Sequence, residues 1–131
     1  MRSAAVLLLA ASIPAVCRAQ SPSVTDISGT WKVVAVEVVL NRVQALSEND
    51  PAYMGAILDI SAQRVAWRAA DRDPRATLSD LCTAPRLLPD GTIHCAAGSF
   101  FGPPGAKLTI ADGRLRLDWY DGGRLTLQRQ G

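Results

Sequence analysis

The chain has 131 residues, 48% of them hydrophobic, with 14 Lys and Arg against 12 Asp and Glu. That length bounds the answer to one domain with its own core, and a formal charge of +2 excludes the strongly basic surface that nucleic acid or an anionic membrane demands. One histidine and three cysteines leave little material for catalytic or metal chemistry.

Met1–Ala19 reads as a secretory signal peptide. Arg2 supplies a positive start, the run AAVLLLAASIPAV is apolar but too short to span a bilayer, and Cys17 and Ala19 are the small residues at −3 and −1 of a cut before Gln20. A lipoprotein reading would make Cys17 the acylated residue, but Pro14-Ala15-Val16 lacks the Leu and the small residue that such a site carries before its cysteine. The expected address is the periplasm or the medium. No later stretch approaches the roughly 20 apolar residues of a membrane helix, so no stable membrane insertion is expected. Cleavage leaves 112 residues (131 less 19) and removes Arg2 and Arg18, so 12 basic residues then face 12 acidic ones. Two cysteines remain, Cys82 and Cys95, and in an oxidising compartment one disulfide is the default.

Gln20–Asp26 is polar and contains Pro22, which predicts a flexible lead-in. Ile27–Leu40 is dense in β-branched residues and predicts a long strand. Neither parity of that strand is cleanly polar: Trp31, Val33, Ala35 and Val39 fall on one face, Val34, Val36, Val38 and Leu40 on the other. A strand covered on both sides, or one bent by a bulge, accounts for this. The short polar lead followed by Gly29-Thr30-Trp31 at the start of the first strand resembles the Gly-x-Trp opening of lipocalin-like β-barrels, the calycin group. The compact bacterial members of that group are the closer likeness, and most of them have no assigned activity. The resemblance implies that Trp31 closes the base of a barrel and packs against a basic residue of the last strand, here Arg124 or Arg129.

Farther along, Ser47 or Asp50 can cap a helical turn through Ala52-Tyr53-Met54 that Gly55 ends, a minor helical lid over one end. A four-residue loop at Ser61–Arg64 sets Ile60 opposite Val65 and Leu58 opposite Trp67. Ala69–Ala76 is a charged loop and Thr77–Cys82 a weak strand. Arg86–Cys95 reads as a hairpin with Asp90-Gly91 at its tip and Leu88 facing Ile93. Ala96–Gly105, with Phe100-Phe101 and Pro103-Pro104, is the least regular segment.

Ala106–Arg129 alternates apolar and polar residues with period two, the pattern of strands with one wet face. A type I′ turn at Asp112-Gly113 sets Ile110 opposite Leu115 and Leu108 opposite Leu117. A three-residue loop at Asp121-Gly122-Gly123 keeps Trp119 and Leu125 on one face. The fold class predicted is all-β, a small antiparallel up-and-down barrel of about seven or eight strands. Pairing the first strand with the last removes the exposed edges of an open meander.

Chemistry-bearing residues are sparse. His94 stands alone between Ile93 and Cys95; a zinc site built on Cys82, Cys95 and His94 matches no standard spacing, and a Ser79–Asp80–His94 triad lacks a nucleophile elbow. No cofactor, metal or catalytic residue is expected, and the chain does not read as an enzyme. Glu37 lies in the middle of an apolar strand: turned inward it needs Arg68 or Arg116 and reads a polar head group, turned outward it is merely solvated. The candidate ligand-binding residues are Trp31, Glu37, Tyr53, Trp67, Phe100, Phe101 and Trp119. The partner they imply is a small apolar molecule. The alternative is a protein partner, as for an exported hydrolase inhibitor. Exported inhibitors of bacterial metalloproteases are similar in outline, with a signal peptide, one disulfide and a small barrel, and their free N-terminal tail would correspond to Gln20–Asp26.

Overall fold

Ten strands and one helical turn appear in the computed structural model, which describes residues 22–39, 46–68, 80–102, 105–119 and 122–131. The leader, the loop at 69–76, residues 77–79 and Pro103-Pro104 lie outside the described residues. The helical turn α1 (Val24–Ile27) precedes β1 (Gly29–Val38), β2 (Ile57–Ile60), β3 (Arg64–Arg68), β4 (Leu81–Thr83), β5 (Arg86–Leu87), β6 (Ile93–His94), β7 (Ala97–Gly98), β8 (Lys107–Ala111), β9 (Arg114–Asp118) and β10 (Gly123–Arg129). Eight strands form one curled antiparallel sheet in the order β7-β4-β3-β2-β1-β10-β9-β8, and β5 and β6 make a separate hairpin.

The first and last strands do meet: β1 pairs with β10 from Trp31↔Arg129 to Val38↔Gly123. The register slips between Val33 and Ala35, which is a β-bulge. Because side chains alternate with period two, one extra residue exchanges the faces. Trp31 and Val33 are buried before the bulge and Val36 after it, while Glu37 is exposed. The mixed parity of this strand is therefore the sequence mark of the bulge.

The seam between the two outer strands is covered by residues 84–102 with Gly105 and Ala106. The β5–β6 hairpin lies against β8, with the Ile93 N–H bonded to the Ala106 carbonyl at 2.9 Å and the Leu108 N–H to the Gly91 carbonyl at 2.9 Å. On the other side, the Ala96 N–H reaches the Thr83 carbonyl at 2.9 Å, and Cys82 in β4 is joined to Cys95 by a disulfide. The interior is one apolar cluster that includes Trp31, Leu58, Val65, Phe100, Leu108, Leu115, Leu117, Leu125 and Leu127.

Most turns follow their residue chemistry. Asp112 and Gly113 have φ of 53° and 73°, the two positive values of a type I′ turn, and Leu108↔Leu117 and Ile110↔Leu115 pair as expected. Leu58↔Trp67 and Ile60↔Val65 also pair as expected. Two hairpins differ by one residue. Leu87, not Leu88, faces Ile93, because Leu88 bonds to Thr92 around a three-residue tip, Pro89-Asp90-Gly91, in which Gly91 supplies the left-handed residue. Trp119 pairs with Gly123, and Leu125 with Leu117, so the last loop has the expected length but starts one residue earlier.

The helix is also elsewhere than expected. Residues 50–56 form hydrogen-bonded turns, with the Tyr53 and Met54 N–H groups both on the Asp50 carbonyl at 3.0 Å. The helical turn instead forms in the lead-in, where Pro22 is buried and Ser23 and Asp26 make a reciprocal capping box. The Asp26 carboxyl lies below its ordinary value of 3.8 because the Ser23 backbone N–H and hydroxyl hydrogen-bond to its ionised form. Burial alone would raise the Asp59 carboxyl, but hydrogen bonds from Arg68 and Thr30, with the charges of Arg68 and Arg64, hold it low as well. A carboxyl depressed in the folded state stabilises it fully above the unfolded value, and that contribution is lost as pH falls through the folded one. The thermal midpoint is therefore expected to drop below about pH 4, and Asp26→Asn and Asp59→Asn should each flatten that acid limb in a melt series across pH.

Candidate functional site

The two ends of the barrel are built differently. At the base, Trp31 is 1% exposed and its indole N–H donates to the Ile27 carbonyl of α1 at 2.8 Å. The Arg129 guanidinium lies 4.3 Å from the centre of the Trp31 ring and donates to the Ser28 and Asp26 carbonyls at 2.6 and 3.0 Å. Gly29 is required here: its φ is +135°, and a Cβ would stand 2.8 Å from Arg129 Nη1. The base is thus sealed by helix, indole and guanidinium, and Arg129, not Arg124, covers the tryptophan.

Apart from this seal, five aromatic rings form a continuous row. Phe100, 1% exposed, stacks on Trp67 with centroids 6.0 Å apart, and Phe101 meets both edge-on, 5.1 Å from Phe100 and 6.2 Å from Trp67. Phe101 also stacks on Trp119 at 5.1 Å and 18° between planes, and Trp119 lies 6.2 Å from Tyr53. Four segments place the five rings: Trp67 lies on β3, Trp119 just after β9, the two Phe in the loop after β7, and Tyr53 in the turns before β2. Trp119 lies flat across Gly123, where a Cβ would fall 1.9 Å from its ring. Phe100 is buried in the core while Phe101 is half-exposed.

Two polar features mark this end. Trp67 is 7% exposed, yet its buried Nε1–H has no acceptor among the described residues. Phe101 has a φ of 60°, a left-handed conformation uncommon for a bulky side chain, and its N–H donates to Asp80 Oδ2 at 3.0 Å. Burial, with the charges of Asp50 and Asp80, pushes the Tyr53 phenol above its ordinary 10.0, so it stays a neutral donor.

Five of the seven expected ligand residues are therefore brought together: Tyr53, Trp67, Phe100, Phe101 and Trp119. Trp31 is not part of the row and packs instead under Arg129. Glu37 is on the outer face, half exposed, 3.6 Å from Arg124 and not paired with Arg68 or Arg116. There it ends a row of alternating charge across four strands, Lys107, Asp118, Arg124 and Glu37, in which Arg124 Nε donates to Asp118 at 2.7 Å. Asp80 was missed in the sequence as part of this end because nothing in its spacing ties it to Phe101.

Other features stand apart from the aromatic end. A cleft of about 200 Å³ on the seam is lined by Ile93, His94, Cys95, Ser99 and Phe100 among others, and a polar hollow of about 360 Å³ on the outer face by Asp112, Arg114, Arg116 and Thr126. Cys82 and Cys95 are joined to each other, so they are not thiolate ligands for a metal beside His94. Among the described residues no group of three or more His, Cys, Asp and Glu is placed to hold a metal ion, and no helix is long and apolar enough to cross a membrane. No protein-family model, no curated protein and no solved structure matches the chain.

Proposed function

We propose that this is an exported, lipocalin-like binding protein that takes a small apolar molecule at the aromatic end of its barrel. The five-ring row carries the reading: aromatic side chains converging from four elements on one end of a closed sheet, with an unused hydrogen-bond donor among them, have the composition of a small-molecule site. The sealed base, with Trp31 under Arg129, supports the lipocalin-like assignment. The Cys82–Cys95 disulfide supports export to an oxidising compartment. The reading is of a binding protein and not an enzyme. The inhibitor alternative draws no support from the lead-in, because Pro22–Asp26 are docked at the base and do not form a free tail.

The test is a titration with a panel of hydrophobic ligands read by tryptophan fluorescence. Trp67 and Trp119 should report binding more strongly than a variant retaining only Trp31, since that indole is packed under Arg129 and makes no ring contact with the row. A flat response of the intact protein across the panel overturns the proposal.

A further inference from the structure

Phe101 combines three properties that are hard to reconcile with a purely structural ring. It is half-exposed, it is held in a left-handed backbone conformation, and its ring fills the slot between Trp119, on which it stacks, and Trp67, to which it stands nearly perpendicular. Strain of this kind persists where surrounding contacts impose it and is found at ligand clamps. Among the described residues one hydrogen bond, from its N–H to Asp80, anchors its backbone, and a Cβ on the next residue, Gly102, would meet nothing within 4 Å. Trp67, whose ring centre lies 6.2 Å from that of Phe101, carries the unpaired indole N–H. A buried donor without an acceptor loses its hydration and gains nothing in return, so an occupant that offers an acceptor there is favoured over one that does not.

We infer that Phe101 occupies the place of the ligand's aromatic ring, and that the natural ligand is a neutral planar aryl carbonyl compound which displaces Phe101, stacks on Trp119 and accepts the Trp67 Nε1–H. This inference rests on the reading of the aromatic end as the ligand site. Stacking is the geometry Trp119 already has with Phe101, and a flat ring preserves it. The carbonyl is neutral because the Asp80 carboxylate lies close by, on the Phe101 N–H, and would repel a ligand carboxylate.

The experiment compares 2-acetylnaphthalene with 2-ethylnaphthalene, which has nearly the same shape but no acceptor, and with 2-naphthoate. The intact protein should bind the ketone about tenfold or more tighter than the hydrocarbon, the order expected for satisfying a buried donor, although the hydrocarbon is the more hydrophobic. In ¹⁵N-edited spectra the Trp67 indole N–H should move downfield with the ketone and not with the hydrocarbon, a readout that does not depend on any substitution. Trp67→Phe should abolish the ketone preference, Phe101→Gly should tighten both probes several-fold, and 2-naphthoate should bind more weakly than the ketone. Equal binding of ketone and hydrocarbon, or an unmoved Trp67 resonance, overturns the acceptor inference while leaving the apolar site standing. Weaker binding by Phe101→Gly overturns the displacement, and a preference for 2-naphthoate overturns the neutral class. No binding of any probe to either the intact protein or Phe101→Gly sinks the ligand site itself.

Discussion

Trp31→Ala is expected to cost about 3–5 kcal/mol, the range for truncating a fully buried large aromatic, out of a total stability of about 5–15 kcal/mol for a domain of this kind. The loss has three sources. The indole fills the base of the interior at 1% exposure, its N–H secures the Ile27 carbonyl at the end of α1, and its face carries the Arg129 guanidinium. Without the ring, Arg129 loses its stacking partner and α1 its tie to the barrel. Urea denaturation followed by circular dichroism measures the change. Trp31→Phe separates the sources: it keeps most of the apolar volume, so a cost of about 1–2 kcal/mol is expected from the lost hydrogen bond and the poorer fit. If the Ala variant unfolds at the same urea concentration as the parent, the base is not a structural seal.

Removing the disulfide with Cys82→Ala and Cys95→Ala together should cost about 2–4 kcal/mol, the usual effect of a cross-link that restricts the unfolded chain. The bridge spans a sequence separation of 13 and joins β4 to the residue after β6. Its position magnifies its importance, because the seam it crosses has only two-residue ladders, β4 with β7 and β5 with β6. Urea midpoints of the oxidised protein, the reduced protein and the double variant test this. Coincident midpoints would mean that hydrogen bonds alone hold the seam.

The parts of the fold that were legible in the sequence are those where one local rule decides. Asp112-Gly113 admits two positive φ values, and the alternation around it then fixes which leucines meet. The pairing of β1 with β10 followed from the need to cover edges, and the disulfide from there being two cysteines outside the expected leader. The last hairpin keeps its three-residue loop and only starts one residue earlier, whereas the hairpin at Asp90-Gly91 takes Pro89 into its tip, with Gly91 left-handed. A two-residue and a three-residue loop read alike when Asp-Gly is the only cue. The capping box at Ser23 and Asp26 had a sequence signature, an Asp three residues after a Ser, but a polar stretch with a proline masked it. At the site, the aromatic residues were visible as a list and not as a row, since five rings from four elements meet only through the tertiary fold. Glu37 was ambiguous because its direction depends on a bulge three residues earlier.

That bulge at Val34 makes β1 behave as two half-strands that are out of phase. A polarity map of the strand therefore changes sign partway along: tolerance to charge sits on even-numbered Lys32 near the base and on odd-numbered Glu37 near the mouth. Any mutational scan read with a single repeat through Gly29–Val38 would misassign half of its positions. Straightening the bulge at constant chain length would do more harm than most replacements there, because it would put the two halves in step and send the Glu37 carboxylate toward the leucines, whereas deleting Val34 itself leaves Val36 inward and Glu37 outward.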